Sequence, residues 1–159
     1  SESRSFHSHT DYYFPREALA EHPNRELYKS WAEKGFLILC DWNVIDYKLI
    51  VSDILRRNKS LKILGIGYDP YKSAEFVNML SSSGAKNIFT SPVESFELAV
   101  KRKLVSFNPN PINWYCFANA VLDEDRNENK KPIKKTHNLK IDGVITNLMT
   151  FYLFNNITR

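Results

Sequence analysis

The chain has 159 residues, of which 43% are hydrophobic and 25% are charged, and this composition argues against a disordered segment. The formal net charge is +4, which is compatible with a polyanionic partner but does not identify one. The distant cysteines Cys40 and Cys116 form no zinc-binding pattern, and no apolar run approaches the roughly 20 residues that cross a bilayer. We therefore expect a cytoplasmic protein without membrane contact.

The first part of the chain alternates short apolar strands with amphipathic helices. Strands are predicted at 11–14 and 36–40, and helices at 25–34 and 44–57. Asp46 lies near the start of the second helix, where a carboxylate can accept hydrogen bonds from free backbone amides. We interpret Asp46 as a helix cap or first-turn charge, and an accessory role in a metal site is the alternative.

The stretch 61–70, LKILGIGYDP, predicts a buried strand that stops abruptly. Large aliphatic residues dominate its first six positions, and glycine and proline punctuate the rest. Asp69 comes at the carboxyl end of this strand, which is where ligands bind in α/β sheets. A structural alternative is that Asp69 caps the helix predicted at 73–81.

Short elements continue the alternation in the second half of the chain. Strands are predicted at 87–90 and 104–107, and a helix at 95–103 ends in three consecutive basic residues. Such a run is usually a solvated helix end, although it is also a candidate phosphate contact. Residues 112–122 are apolar and aromatic, and their pattern fits either a helix or a strand.

Residues 123–135, DEDRNENKKPIKK, predict an exposed loop or hairpin. This segment is the most basic patch of the chain. It suits either a solvated loop or a nucleic-acid contact, and the second interpretation requires that it lie beside the active site. The lysines concerned are Lys130, Lys131, Lys134 and Lys135.

Residues 141–154 have apolar side chains at helical spacing and predict a core helix, with Asp142 in its first turn. If the fold brings Asp69 and Asp142 together, the two carboxylates need a cation to stay ionised. Mg²⁺ takes oxygen ligands, and a pair of such ions can stabilise the attacking and leaving oxygens of phosphodiester cleavage. The sequence alone leaves the separation of the two carboxylates open.

Four segments, in this order, resemble the C-terminal nuclease domain of tailed-phage terminase large subunits. They are NVIDYKLI (43–50), GYDPYKSAEFVNML (67–80), NPINWYCFANAV (110–121) and KIDGVITNLM (140–149). The resemblance covers nearly the whole chain, and its most specific motifs are YDP and KIDG. The chain departs from the family at Trp42, where the family usually has a glycine before the asparagine.

The resemblance implies an α/β, ribonuclease H-like fold, in which helices flank a mixed central sheet. It also implies two-metal cleavage of concatemeric double-stranded DNA during genome packaging, with Mg²⁺ or Mn²⁺. In that family three acids bind the metal ions. The second acid corresponds to Asp69 and the third to Asp142, which would be both metal-binding and catalytic.

The family's first acid lies on an opening strand that we do not find here. We therefore expect residues 1–159 to form a single, truncated nuclease domain that lacks its first strand and is inactive if no other ligand replaces the first acid. No GxxxxGK[ST] phosphate-binding loop occurs in the sequence, so we expect the family's ATPase motor domain to be missing as well.

The resemblance also makes the basic residues near the KIDG motif candidate DNA contacts: Lys130, Lys131, Lys134, Lys135 and Lys140. In the full-length protein, it implies an ATPase domain, a small terminase subunit and the portal as partners, in the cytoplasm of a bacterial host. Two alternatives stay open. The chain could be a non-catalytic fragment that docks on DNA or packaging proteins, or another ribonuclease H-like nuclease of the transposase or resolvase type.

Overall fold

A computed structural model describes residues 4–61, 63–69, 76, 79, 85–87, 93–126 and 130–157. The chain divides into two compact units. The N-terminal unit is Asp11–Lys86, and the C-terminal unit consists of Ser1–Thr10 together with Asn87–Arg159. The expectation of a single domain over residues 1–159 stays a prediction.

Short strands alternate with helices along the described part of the chain. In chain order the elements are β1 (Phe6–Ser8), β2 (Tyr13–Pro15), a 3₁₀ helix (Glu17–Leu19), α1 (Arg25–Glu33), β3 (Ile38–Cys40), α2 (Tyr47–Asn58), β4 (Ile66–Tyr68), β5 (Ala85–Asn87), α3 (Val93–Lys101), β6 (Val105–Phe107), α4 (Pro111–Asn119), β7 (Ala120–Glu124), β8 (Lys130–Lys134) and α5 (Asp142–Ile157). The strands pair two by two: β1 with β6, β2 with β3, β4 with β5, and β7 with β8.

In the N-terminal unit, an aromatic cluster packs α1 against the parallel pair of β2 and β3. Tyr28 and Trp31 are buried on one face of α1, with ring centroids 5.3 Å apart, and the ring of Phe14 from β2 lies 5.1 Å from that of Tyr28. Leu27, four residues before Trp31, is 41% exposed. Four residues correspond to about 40° around the helix axis, so Leu27 lies at the solvent edge of the buried face.

The predicted buried strand at 61–70 is wrong at its amino end. The described strand is only Ile66–Tyr68, and Leu61 and Leu64 are 65% and 62% exposed. The turn that follows the last residue of α2, Asn58, includes Leu61, because the backbone N–H of Leu61 donates to the carbonyl of Arg57 at 2.8 Å. This turn therefore uses a residue that the apolar pattern assigned to the strand.

Two further predicted elements lie partly outside the described residues. Of the helix predicted at 73–81, only Phe76 and Met79 are described, and both are helical. Of the strand predicted at 87–90, only Asn87 is described, as the last residue of β5.

In the C-terminal unit, β1 and β6 pair in parallel and α5 packs against them. The ring centroid of Phe6 in β1 lies 5.5 Å from that of Phe151 in α5. The ring centroid of Phe96 in α3 lies 5.2 Å from that of the same Phe151. The predicted core helix is thus confirmed. Among the described residues, no helix combines the length and the apolar content that a membrane crossing requires.

The ambiguous segment 112–122 contains both a helix and a strand. Asn110 caps α4, its side-chain oxygen accepting from the backbone N–H of Ile112 at 3.0 Å, and Pro111 occupies the first helical position. After Asn119 the chain becomes extended as β7, which pairs antiparallel with β8. The hairpin predicted at 123–135 is therefore confirmed.

Trp42 has a backbone conformation that suits glycine better than tryptophan. Its φ is 76°, in the left-handed region, and its side chain is 71% exposed. The turn is fixed by its surroundings, because the carbonyl of Trp42 accepts a hydrogen bond from the backbone N–H of Glu17 at 3.3 Å. A side chain in this region costs about 1–2 kcal/mol, so Trp42 occupies a backbone position that favours glycine.

We predict that Trp42→Gly stabilises the protein by about 0.5–1 kcal/mol, because the relief of backbone strain exceeds the entropy that glycine adds to the unfolded chain. Urea unfolding at neutral pH measures the change. Asn43→Gly is the matched control: Asn43 is exposed and has no positive φ, so the same substitution should destabilise there. Equal losses in both variants would contradict strain at Trp42.

Candidate functional site

Asp69 follows the last residue of β4 directly, and its side chain is exposed. This is the strand-end position that the sequence indicates, where a carboxylate can meet a ligand from solvent. The alternative role, a cap of the helix predicted at 73–81, involves residues outside those that the structure describes.

Asp142 is the first residue of α5, as predicted, and its side chain is exposed. Its backbone carbonyl accepts a hydrogen bond from the Thr146 hydroxyl at 2.9 Å. Ile141, immediately before it, is buried in the core. The backbone around Asp142 is therefore held by the protein while its carboxylate faces water, at a helix end where negative charge is favoured.

The two motif acids belong to different compact units, Asp69 to the N-terminal unit and Asp142 to the C-terminal unit. Their pairing in one metal site stays a prediction. Within the described ranges, no group of three or more His, Cys, Asp or Glu side chains has an arrangement that could hold a metal ion. The donor chemistry nevertheless fits, because both acids present exposed carboxylate oxygens, which are the ligands that Mg²⁺ and Mn²⁺ prefer.

Asp46 is the N-cap of α2. Its side-chain oxygen accepts hydrogen bonds from the backbone N–H groups of Lys48 at 2.9 Å and Leu49 at 3.4 Å. The interpretation of Asp46 as a cap is thus confirmed, and any accessory role in a metal site stays a proposal.

Two other acids of the N-terminal unit form a polar cluster that the sequence analysis missed. Asp53 accepts hydrogen bonds from the Tyr13 hydroxyl at 2.8 Å and from Arg56 at 2.7 Å, and Asp11 pairs with Arg57 at 2.5 Å. The arginine pair one turn after Asp53 was the available signal. Because each of these carboxylates already has a cationic partner, neither offers a ready metal ligand.

The cluster changes the proton affinity of both groups that share its central hydrogen bond. The hydrogen bond from Tyr13 is the main reason that the pKa of Asp53 lies below its usual value. Arg56 and Arg57 lower this pKa further, whereas desolvation of the carboxylate raises it. Burial, followed by the hydrogen bond to Asp53, raises the pKa of Tyr13. Tyr13 therefore stays a neutral donor and Asp53 a charged acceptor at neutral pH.

The lysines of the hairpin differ in their partners. Lys130 pairs with Glu94 of α3 at 3.2 Å, and this hydrogen bond raises the pKa of Lys130. Lys131 pairs with Asp123 across the hairpin at 3.5 Å. These two predicted DNA contacts thus have intramolecular partners of opposite charge.

Three further lysines lie around the start of α5. Lys135 donates from its ammonium group to the carbonyl of Ala118 at 2.5 Å. Lys134 and Lys140 are exposed and, among the described residues, neither forms an ion pair. Of the five lysines, these two are therefore the ones most available to an external phosphate.

Asn119 joins the end of the hairpin to the segment that precedes Asp142. Its carbonyl accepts from the backbone N–H of Lys135 at 3.0 Å, and its side-chain amide donates to the carbonyl of Lys140 at 3.5 Å. The structure thus brings Lys135 and Lys140 to the same end of the C-terminal unit as Asp142, and their contact with DNA stays a prediction.

Comparison with known proteins gives consistent results. The family model for the endonuclease domain of the terminase large subunit matches residues 6–156. Protein YmfN of Escherichia coli strain K12 is 23% identical over 134 residues, covering 78% of this chain and 30% of YmfN. The crystal structure of the HK97 bacteriophage large terminase matches with a TM-score of 0.73 and 20% identity, covering 86% of this chain and 31% of that chain. This likeness confirms the predicted ribonuclease H-like α/β fold, and the chain spans about a third of the length of either relative.

We predict that Tyr13→Phe destabilises the protein by about 1–2 kcal/mol at pH 7, because a hydrogen bond to a charged group is lost. The pKa of Asp53 is lower in the folded state than in the unfolded state, so its stabilisation is present above the unfolded pKa of about 3.9. That stabilisation disappears as the pH falls through the folded pKa. The difference between the variant and the unmodified chain should therefore shrink in acid.

Urea unfolding at pH 7 and at progressively lower pH checks this expectation. Tyr13→Phe in an Asp53→Ala background is the control, since the hydrogen bond is already missing there and the substitution should cost almost nothing. A loss that is independent of pH or of Asp53 would mean that the Tyr13 hydroxyl stabilises the fold through another contact.

Proposed function

Because the chain belongs to the family of terminase large subunit endonuclease domains, we propose that it cleaves concatemeric double-stranded DNA, using divalent metal ions, during phage genome packaging. The match over residues 6–156 confirms the family that the ordered motifs indicate, and it sets aside a transposase or resolvase. The chain covers 30% of YmfN and 31% of the HK97 protein. Because the chain corresponds to less than a third of either relative, the activity of a whole terminase is proposed for it and does not follow from these matches.

The observation that carries the proposal is the local setting of the two motif acids. Asp69 is exposed at the end of β4, and Asp142 is exposed at the start of α5. We assign both as metal ligands and catalytic residues for Mg²⁺ or Mn²⁺. When bound, the ions activate water and stabilise the leaving oxygen of the phosphodiester. The two carboxylates would hold and orient the ions, whereas the side chain of Asp46 already accepts two backbone hydrogen bonds as the cap of α2.

DNA would contact the C-terminal unit through lysines around the start of α5. Lys134 and Lys140 are the main candidates because they are exposed and have no acidic partner among the described residues. Lys135 lies at the same end and is the next candidate. For Lys130 and Lys131, binding to phosphate would first require the loss of an existing ion pair.

In the whole protein, the proposed partners are an ATPase motor domain, a small terminase subunit and the portal, in the cytoplasm of a bacterial host. A non-catalytic fragment that docks on DNA is the second candidate function. The exposed lysines support it, since they can bind phosphates without any metal ion. Cleavage assays of the acidic variants separate the two functions.

We predict that Asp69→Asn and Asp142→Asn each reduce Mn²⁺-dependent plasmid nicking by more than about a hundredfold, since even residues that only support metal ligands cost 10- to 100-fold when changed. Asp46→Asn is the matched control, because asparagine also caps helices and should leave nicking unchanged. Nicking by Asp69→Asn at the unmodified rate would refute the assigned ligands. Binding without nicking by the unmodified chain would favour the docking fragment.

We predict that DNA binding falls steeply with salt and is independent of DNA sequence. In the double variant Lys134→Gln/Lys140→Gln, the slope of log K against log salt should become shallower by about 2, because each phosphate contact contributes about 0.9. Fluorescence anisotropy with a labelled duplex, without metal, measures the slope. The control Lys130→Gln/Lys131→Gln removes the same charge from two lysines that already have ion pairs, and it should change the slope less. A larger slope change in this control than in Lys134→Gln/Lys140→Gln would show that the wrong lysines are assigned.

A further inference from the structure

Asn147 is a polar side chain in the apolar core of the C-terminal unit. It is 1% exposed, in the middle of α5, between the buried residues Val144, Leu148 and Phe151. Asparagine is a poor residue for a helix interior, and a buried amide costs free energy unless both of its polar atoms find partners. Its presence at this position therefore calls for specific contacts.

Those contacts connect the first turn of α5 with strand β1. The side-chain nitrogen of Asn147 donates to the carbonyl of Gly143 at 2.7 Å and to the Thr10 hydroxyl at 3.5 Å. Its side-chain oxygen accepts a hydrogen bond from the buried Ser8 hydroxyl. Gly143 is the neighbour of Asp142, so one amide joins the turn that carries this acid to the strand beside it.

The strand side of this connection is itself fixed. Asn108, which follows β6, accepts from the backbone N–H of Thr10 at 3.2 Å and donates to the Thr10 carbonyl at 3.4 Å. Asn113 of α4 donates to Asn108 in turn, at 3.0 Å to its side-chain oxygen. Thr10 is thus held from both sides, and Asn147 bonds to a part of the chain that has little freedom to move.

We propose that Asn147 is a positioning residue for the carboxylate of Asp142. Apolar packing alone lets a helix slide or rotate, whereas the directional hydrogen bonds of Asn147 fix the height and rotation of the first turn of α5. This inference rests on the proposed function, in which Asp142 binds the metal ion. It adds a residue that touches neither metal nor DNA and acts through the backbone of Gly143.

The test compares Asn147→Leu, which keeps the side chain branched at Cγ but removes the hydrogen bonds, with Leu148→Ala on the same helix. Mn²⁺ titration is followed by paramagnetic broadening of the amide signals around Asp142. We expect apparent Mn²⁺ affinity to fall about tenfold in Asn147→Leu, as for other residues that support metal ligands. Leu148→Ala, which removes buried apolar volume and destabilises the helix, should change the affinity less than twofold. Equal effects in both variants, or no effect in Asn147→Leu, would overturn the proposal.

A second measurement does not depend on metal. The backbone N–H groups of Val144 and Ile145 bond to the carbonyl of Ile141 at 2.8 and 3.2 Å. We expect their hydrogen exchange to become about tenfold faster in Asn147→Leu than in Leu148→Ala, after correction for global stability. Ser8→Ala, which leaves Asn147 in place, should show a smaller change of the same kind and serves if Asn147→Leu does not fold.

The two measurements separate the possible failures. If the unmodified chain shows no Mn²⁺ broadening near Asp142, the proposed function fails, and the exchange rates alone decide whether Asn147 holds the turn. If exchange at Val144 and Ile145 is unchanged in both Asn147→Leu and Ser8→Ala, the positioning role is refuted. If the unmodified chain binds Mn²⁺ and Asn147→Leu shows faster exchange with unchanged Mn²⁺ affinity, Asn147 has only a structural role. That result would also refute the positioning role.

Discussion

The packing of α5 against strand β1 is the contact on which the C-terminal unit depends. Phe6 lies between Phe151 and Phe154, with ring centroids 5.5 and 5.4 Å away, and α3 adds Phe96 to the same cluster. The burial of this aromatic core excludes water, and that driving force does not depend on direction. The hydrogen bond between the buried amide of Asn147 and the hydroxyl of Ser8 is directional. The contact between α5 and β1 therefore both stabilises the unit and fixes the start of its longest described helix.

The N-terminal unit depends on different interactions. None of the residues of α2 is fully buried, so this helix cannot rely on a core of its own as α5 does. Polar links connect it to the chain around β2: Tyr13 with Asp53, and Asp11 with Arg57. Such partly exposed pairs depend on salt and pH more than apolar packing does. The two units of one chain therefore have different sensitivities to solution conditions.

Sequence reasoning succeeded where the deciding interactions are local. Asp46 caps α2 as its position in the sequence indicates, because a cap involves residues only a few positions apart. It failed at Leu61 and Leu64, whose apolar character indicated a buried strand. The backbone N–H of Leu61 instead donates to the carbonyl of Arg57 at the end of α2, and the side chains of Leu61 and Leu64 are both exposed. The positions of Asp69 after a strand and of Asp142 in a first turn were predictable for the same local reason.

Two residues of the same type can have different roles because their partners are distant in the sequence. Sequence patterns do not show which distant side chains form those ion pairs and hydrogen bonds. Lys130 and Lys134 look alike in the basic segment, yet Lys130 has Glu94, 36 positions away, as its partner. Asp53 and Asp69 are both acids of the N-terminal unit. Asp53 is 20% exposed and bonds to Tyr13 and an arginine, whereas Asp69 is exposed at a strand end.

A carboxylate that already has a cation and a hydrogen-bond donor, as Asp53 has in Arg56 and Tyr13, must lose both before it can bind a metal ion. The capping role of Asp46 and the ion pairs of Asp11 and Asp53 therefore mark these three acids as structural, whereas Asp69 and Asp142, exposed at the ends of elements, stay the proposed metal ligands.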